Sequence, residues 1–309
     1  MGYVSSPEAR RKLLRGREPA IDQKCDGTAE WAGRLKKGSP RRYTGVAHSL
    51  TKAVAMRQDT PILDELIEMS LWLAEPSREC VILGEGNTSA RADAETFYVK
   101  ASGAQLAHSV ADSFVQVYSE PLVGLLEGPD LDDTQIKDAL AAACVNDDGR
   151  RPSTETVFHA LLLAYPEISF VGHTHPIAVN SILCSTSWME LLSRRLFPDE
   201  IVVCGDEYVL VPYTDPGLTL ARELHRRVSD YAERVGQPPR TILIQNHGLI
   251  AAGSTSTMVR NITAMMDKTA RIILGACAAG GVNALSSTDV SRISTRPDEK
   301  YRRQGLDRA

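Results

Sequence analysis

The chain has no long hydrophobic run, no paired cysteines and no excess of charge of one sign, and each absence removes a class of function. No apolar run reaches the roughly 18 to 20 residues that span a bilayer, and the first residues lack the apolar core of a secretory signal, so a cytoplasmic location with no membrane partner is expected. Cys25, Cys80, Cys144, Cys184, Cys204 and Cys277 are scattered, mostly inside apolar runs, with no Cys-x-x-Cys pair. That pattern points to buried free thiols in a reducing compartment. With 35 Lys and Arg against 39 Asp and Glu, the formal net charge of −4 gives no pull toward nucleic acid. No internal repeat of roughly 20 to 50 residues signals a solenoid.

What is present is an ordinary globular composition: 309 residues, 43% hydrophobic and 24% charged, enough for one large core or two small ones. Residues 1–60 are polar and punctuated by Gly27, Gly33, Gly38, Ser39 and Pro40; they read as an N-terminal extension. Its Arg10, Arg11, Lys12, Arg15 and Arg17 are interrupted by Glu8, Glu18 and Asp22, which favours a solvated or subunit-packing arm over a transit segment. Thr60 as N-cap and Pro61 at the first helical position open a helix whose apolar positions run to Leu73, before Pro76.

The run 80–83, the glycine turn Gly84-Glu85-Gly86-Asn87 and the run 96–100 read as a hairpin. Strands are expected at 114–118, 168–175, 208–213 and 241–245, with a strand or turn at 248–252. Helices are expected at 154–165, 176–183, 218–234 and 257–279, and an acidic loop around 127–133. This interleaving predicts an α/β layered sheet. The main domain is placed at 61–283, and residues 284–309 read as a polar C-terminal tail, mobile or reaching a neighbouring subunit.

Within this frame, Val171-Gly172-His173-Thr174-His175-Pro176 places two histidines on one face of an apolar strand. A lone histidine on such a strand is more often structural. Here Glu155 lies upstream at a helix start and His247 lies far downstream, and three nitrogen donors with one oxygen suit zinc, with Mn2+ or Co2+ as other occupants. Three separate elements must converge for this, which spacing alone leaves open. His159, one turn beyond Glu155, competes as a ligand or supports the site; His48, His108 and His225 lie in polar surroundings. Gly86-Asn87 and Ser102-Gly103 each read as plain turns by themselves, but together with Ser153-Thr154 at a helix N-terminus they offer N–H and hydroxyl groups to an oxyanion. Lys100, Arg91, Arg150 and Arg151 are near these loops and receive no role.

Gly86-Asn87-Thr88-Ser89, Lys100-Ala101-Ser102-Gly103, Pro152-Ser153-Thr154-Glu155 with His159, His173-Thr174-His175-Pro176 and Asn246-His247-Gly248-Leu249-Ile250 stand in the order and spacing of the class II aldolase/adducin family. The resemblance covers residues 61–279. It implies a three-layer α/β/α fold around a mixed, largely antiparallel sheet. It also implies zinc on His173, His175 and His247, with Glu155 as catalytic acid/base and resting ligand. Phosphate would be bound by Gly86, Asn87, Ser102, Gly103, Ser153 and Thr154, and the chain would be a homo-oligomer, commonly a cyclic tetramer.

The stretch 209–217 and the motifs around Glu155 and His247 look most like the aldolase domain of rhamnulose-1-phosphate aldolase/alcohol dehydrogenases. The activity implied is cleavage of a ketose 1-phosphate to dihydroxyacetone phosphate and an aldehyde, through an enediolate whose charge a Lewis acid holds. Related members are pentulose-phosphate 4-epimerases, 3-oxo-4-phospho acid decarboxylases and dehydratases, and adducin-like members are non-catalytic modules that have lost metal ligands. Gly84, where some members carry a hydroxyl, and Ala101, in place of a frequent proline, leave a non-phosphorylated substrate open. Family members often recruit a tyrosine or a C-terminal group from a neighbouring subunit as the second acid, and Tyr301 is a candidate by its place in the tail.

Overall fold

The computed structural model describes residues 61–306, so the expectations for residues 1–60, Thr60 included, lie outside the described residues. The first helix forms as α1 (Pro61–Leu73) and buries Leu63, Leu66, Met69 and Leu73, the single face its apolar spacing dictates. Residues 79–86 then have no regular structure, which corrects the expected hairpin. Leu83 adopts a left-handed φ of 51°, the Glu85 N–H closes a turn on the Ile82 carbonyl at 3.0 Å, and Ile82 and Leu83 are exposed. The hairpin lies one step later, between β1 (Asn87–Arg91) and β2 (Thr96–Lys100), with Ala90 opposite Tyr98. Asp93 organises its turn by accepting from the Glu95 and Thr96 N–H groups at 2.9 and 2.8 Å.

β3 (Phe114–Tyr118) follows as expected, and the acidic segment proves to be the short link between α2 (Ser119–Glu127) and α3 (Asp133–Ala142). Next come α4 (Thr156–Leu163), β4 (Phe170–Thr174), α5 (Ile177–Leu183), α6 (Trp188–Leu192) and α7 (Pro198–Cys204). The chain continues with β5 (Val209–Val211), α8 (Leu218–Val235), β6 (Thr241–Ile244), β7 (Gly248–Gly253) and α9 (Ser256–Ala278). The polar stretch read as a tail is helical, as α10 (Ser287–Thr295) and α11 (Pro297–Leu306). Both lie along α7 of the same chain: Arg303 Nε donates to the Val202 carbonyl at 3.1 Å and Arg302 pairs with Asp199 at 2.7 Å.

The seven strands form one sheet in the order β3-β2-β1-β4-β7-β6-β5, antiparallel throughout except for the parallel pair β5–β6. Alternate residues feed two cores. Val171, Ile250 and Ala252 join Val157, Leu161 and Leu224 on the face covered by α2, α4 and α8. Phe170, Leu249 and Ala251 join Leu66, Val179 and Val259 under α1, α5 and α9 on the other. This is the three-layer α/β/α arrangement. All five residues of β4 are buried, so the histidine-bearing strand is central on both faces.

Cys80, Cys144, Cys184, Cys204 and Cys277 are free thiols, and the burial expected for them holds for Cys80 and Cys204 while Cys184 and Cys277 are exposed. Among the described residues no helix is long and apolar enough to cross a membrane.

At the β5 end of the sheet, a buried ion pair fixes α6 and α7. Arg195 donates to Glu200 at 3.0 Å and lies 3.3 Å over the Tyr208 ring; Tyr208 Oη and the Leu196 N–H both donate to Glu200, each at 2.7 Å. Removing the carboxylate leaves a buried guanidinium without its partner. Glu200→Ala is therefore expected to lower unfolding stability by about 3–5 kcal/mol in a denaturant titration. A loss within the error of the titration would show that this pair does not hold the region.

Candidate metal centre

β4 ends at Thr174, and the chain beyond it is held by the segment that fails to form a strand: the His175 N–H donates to the Cys80 carbonyl at 2.8 Å and the Ile177 N–H to the Glu79 carbonyl at 3.1 Å. Opposite, the β6–β7 turn carries His247. Asn246 takes a left-handed φ of 54°, and Asn180 Nδ2 donates to the His247 carbonyl at 2.9 Å. Gly248 is required by close approach, since a Cβ there would stand 2.6 Å from the Thr174 carbonyl and 2.7 Å from His175 Cδ2.

These anchors make three imidazoles converge. His173 Nε2 lies 3.0 Å from His175 Nε2 and 3.2 Å from His247 Nε2. His173 Nδ1 donates to the Leu249 carbonyl at 3.0 Å, which leaves its Nε2 lone pair facing the other two rings. Separations of this size approach the edge, about 3.3 Å, of a tetrahedron with metal–nitrogen bonds of about 2.0–2.1 Å. Glu155 joins from the N-terminus of α4, with Oε1 3.3 Å from His247 Nε2 and Oε2 3.5 Å from His173 Nε2. Oε1 is buried and has no hydrogen-bond partner, which fits a carboxylate oxygen placed to face a cation.

The electrostatics agree with ligand chemistry. Burial, reinforced by the neighbouring imidazoles, pushes His173 from 6.5 down to about 3 and His175 down to about 4. Both are therefore neutral near pH 7, the state that donates a lone pair to a metal. The three histidines are gathered as the sequence suggests, and the site can hold a divalent cation.

The remaining site residues are placed less uniformly. Gly86, at φ 67°, passes against the His173 carbonyl, and the Ser102-Gly103 turn is exposed beside Pro152, which bridges to Ala101. Thr154 is exposed, but the Ser153 N–H is bonded to the Lys100 carbonyl at 3.1 Å and the Ser102 N–H to the Arg151 carbonyl at 2.7 Å. Asn87 turns its side chain inward: Nδ2 donates to Glu155 Oε2 at 2.7 Å and to Ser153 Oγ at 3.3 Å. His159 is wholly buried; it bonds Ser89 and Asn87 and stands outside the converging trio. Tyr301 lies on α11 and is 80% exposed.

Lys100, given no role from the sequence, is buried. Its Nζ donates to the Gly84 carbonyl at 3.1 Å and the Ala104 carbonyl at 2.8 Å, tying the two glycine turns together. Burial lowers its pKa and the charge of Glu155 opposes that shift. A lysine ending the apolar strand β2, directly after Val99 and before Ala101, was the available signal. Glu85 Oε1 sits 3.9 Å from His175 Nδ1. Arg91 and Arg150 are structural clamps on carbonyls of Tyr165, Ile168 and Phe114.

A consequence for stability follows from the depressed histidines. The unfolded chain binds protons at imidazoles near the ordinary 6.5, whereas the folded chain binds them at His173 and His175 only near 3 and 4. Between these values the unfolded state holds more protons, so stability falls as pH drops. Chelator-treated protein is expected to unfold at lower denaturant concentration at pH 5 than at pH 7; an unchanged midpoint would contradict the buried, neutral imidazoles.

The description "Class II Aldolase and Adducin N-terminal domain" matches residues 64–274. Among curated relatives, an uncharacterized oxidoreductase, YuxG, of Bacillus subtilis is 30% identical over 204 residues, which span 63% of this chain and 27% of that protein. A 3-oxo-tetronate 4-phosphate decarboxylase of Haemophilus influenzae is 24% identical over 150 residues, 48% of this chain and 67% of the relative. The chain thus spans about a quarter of the length of the first relative and two thirds of the second. Among solved structures, an L-fuculose 1-phosphate aldolase covers 78% of this chain and 96% of its own, with TM-score 0.58 at 18% identity, a likeness of fold. With the matched stretch running from α1 through β7 and into α9, the chain belongs to the class II aldolase and adducin N-terminal domain family.

Proposed function

We propose that the chain is a zinc-dependent aldolase that cleaves a ketose 1-phosphate to dihydroxyacetone phosphate and an aldehyde. One observation carries this reading: Glu155 Oε1, buried and unpartnered, stands 3.3 Å from His247 Nε2, so a proton-carrying group lies against the three converging imidazoles. Zinc held by His173, His175 and His247, with Glu155 as a displaceable fourth donor, supplies a Lewis acid for the charge that carbon–carbon cleavage leaves beside the ketose carbonyl.

The chain's own residues do the rest. Glu155 returns a proton to the carbon that loses its neighbour in cleavage and removes it in condensation. Asn87 keeps Glu155 Oε2 engaged at 2.7 Å while Oε1 acts. The turns at Gly86 and Ser102-Gly103, with Ser153 and Thr154, receive the phosphate, and the buried Lys100 ammonium below them favours an anion. The fold likeness to a fuculose-phosphate aldolase supports this assignment.

A second reading has its own support in the similarity to a 3-oxo-tetronate 4-phosphate decarboxylase. Loss of carbon dioxide from a 3-oxo acid phosphate also leaves charge beside a carbonyl, and the same metal centre serves it.

Metal analysis combined with a screen of ketose 1-phosphates, ketose 5-phosphates and 3-oxo acid phosphates separates the two readings. Stoichiometric zinc and release of triose phosphate are expected; carbon dioxide without triose phosphate would replace the aldolase by a decarboxylase. Protein that carries no divalent metal and is indifferent to chelator would instead match a non-catalytic, adducin-like module. Glu155→Gln is expected to lower turnover by about 10²-fold to 10⁴-fold while the three histidines still bind metal. Retained turnover would remove Glu155 from the chemistry.

A further inference from the structure

We infer that a buried chain of hydrogen bonds, Ser89 to His159 to Asn87, decides which oxygen of Glu155 is free at the metal centre, and that His159 is a positioning residue for that carboxylate. The inference rests on the reading of Glu155 as the group that faces the metal. The links are short: Ser89 Oγ is 2.6 Å from His159 Nδ1, His159 Nε2 is bonded to Asn87 Oδ1, and Asn87 Nδ2 is 2.7 Å from Glu155 Oε2. Ser89, Asn87 and His159 are all buried, so no water competes for these bonds.

The direction of every bond follows from the last one. An ionised carboxylate only accepts, so Asn87 must present its NH2 to Glu155 and its carbonyl oxygen to His159. His159 must then carry its proton on Nε2, and its Nδ1 accepts from the Ser89 hydroxyl. Reversing the Asn87 amide would set its oxygen against the carboxylate, a buried clash that no change of His159 tautomer relieves. The order is anchored in the sheet, because Ser89 sits on β1 between Val99 of β2 and Val171 of β4. It is also anchored on α4, where the His159 ring stacks on Phe158 with centroids 4.6 Å apart.

The outcome is asymmetric. Glu155 Oε2 is taken by Asn87, and Oε1 is left without a partner toward His247 Nε2. Imidazole suits this task because its two nitrogens reach Ser89 and Asn87 at once. Both oxygens lie near the imidazoles, Oε2 at 3.5 Å from His173 Nε2, but only Oε1 is left without a hydrogen bond, and the carboxylate is held in one orientation, as outer partners do for ligands in general.

Two substitutions that both remove the ring separate positioning from packing. His159→Gln keeps a donor where Nε2 stood and can still reach Asn87; His159→Asn reaches only toward Ser89. Affinity for Co2+, measured by competition with a chelating dye, and the visible absorption of the Co2+-loaded protein are the readouts. His159→Asn is expected to weaken Co2+ binding by about 10-fold to 100-fold and to move the absorption toward that of Glu155→Gln, with His159→Gln close to wild type. On the Glu155→Gln background, His159→Asn should change nothing further. Equal losses in the Gln and Asn variants, or a further loss on the Glu155→Gln background, would overturn the inference.

Should the His159 variants fail to fold, Ser89→Ala tests the same link with the ring in place, and weakening that Ser89→Thr restores is the expected result; unchanged affinity in Ser89→Ala would count against it. None of these measurements uses a sugar phosphate. A chain that binds Co2+ in this pattern but releases no triose phosphate would therefore sink the aldolase reading and leave the Ser89–His159–Asn87 assignment standing.

Discussion

The bond from His173 Nδ1 to the Leu249 carbonyl is the contact on which the rest of the centre depends. It can form only because β4 lies between β1 and β7 in the middle of the sheet, with Thr174 opposite Leu249. A buried imidazole with its Nδ1 proton committed has one lone pair left, and that lone pair must point where His175 and His247 arrive. The other anchors serve the same point. The Cys80 carbonyl holds the backbone of His175, and the tight pass of Gly248 against Thr174 lets His247 come within reach. The metal centre is in this sense a property of sheet register, and helix α4 adds the carboxylate.

Much of this was legible in the residues because it is periodic or local. The alternation Val171, His173 along a strand, the amphipathic spacing of α1 and α8, and the glycines at Gly86 and Gly248 report geometry that a few neighbouring residues determine. The run 80–83 departs from the expected strand for a physical reason. Its composition suits a strand, but its backbone groups are spent on single bonds to His175 and Ile177 and on a tight turn, and Ile82 and Leu83 face outward. A strand needs a continuous partner, and composition does not reveal whether one is present.

The unread parts of the site share a different cause: they are long-range. Lys100 and the turns it ties are neighbours only once β2 is paired and residues 84 and 104 fold back on its end. Asn87, expected from the motif to face a phosphate, turns its amide to Glu155 across 68 residues of sequence. A motif states which residue types are present and not which way an amide points. The helices α2, α3, α6 and α7 carry little sequence signal, since their apolar faces are short and α7 presents a continuous Ile201-Val202-Val203-Cys204 run that has no helical period of its own.

Several local rules are broken close to the three histidines. Glu155 occupies the N-cap of α4 yet makes no capping bond, a task at which serine or aspartate is better. Asn246 holds a left-handed backbone, Lys100 is buried against carbonyls, and His173 is forced neutral by burial. Each of these is locally unfavourable, and each lies at the centre or in a turn that adjoins it. A domain whose folding were its only requirement would place serine at that cap and an aliphatic residue at position 100, because both choices lower the free energy locally. The two apolar cores on either side of the sheet provide the stability that makes these costs around the three imidazoles tolerable.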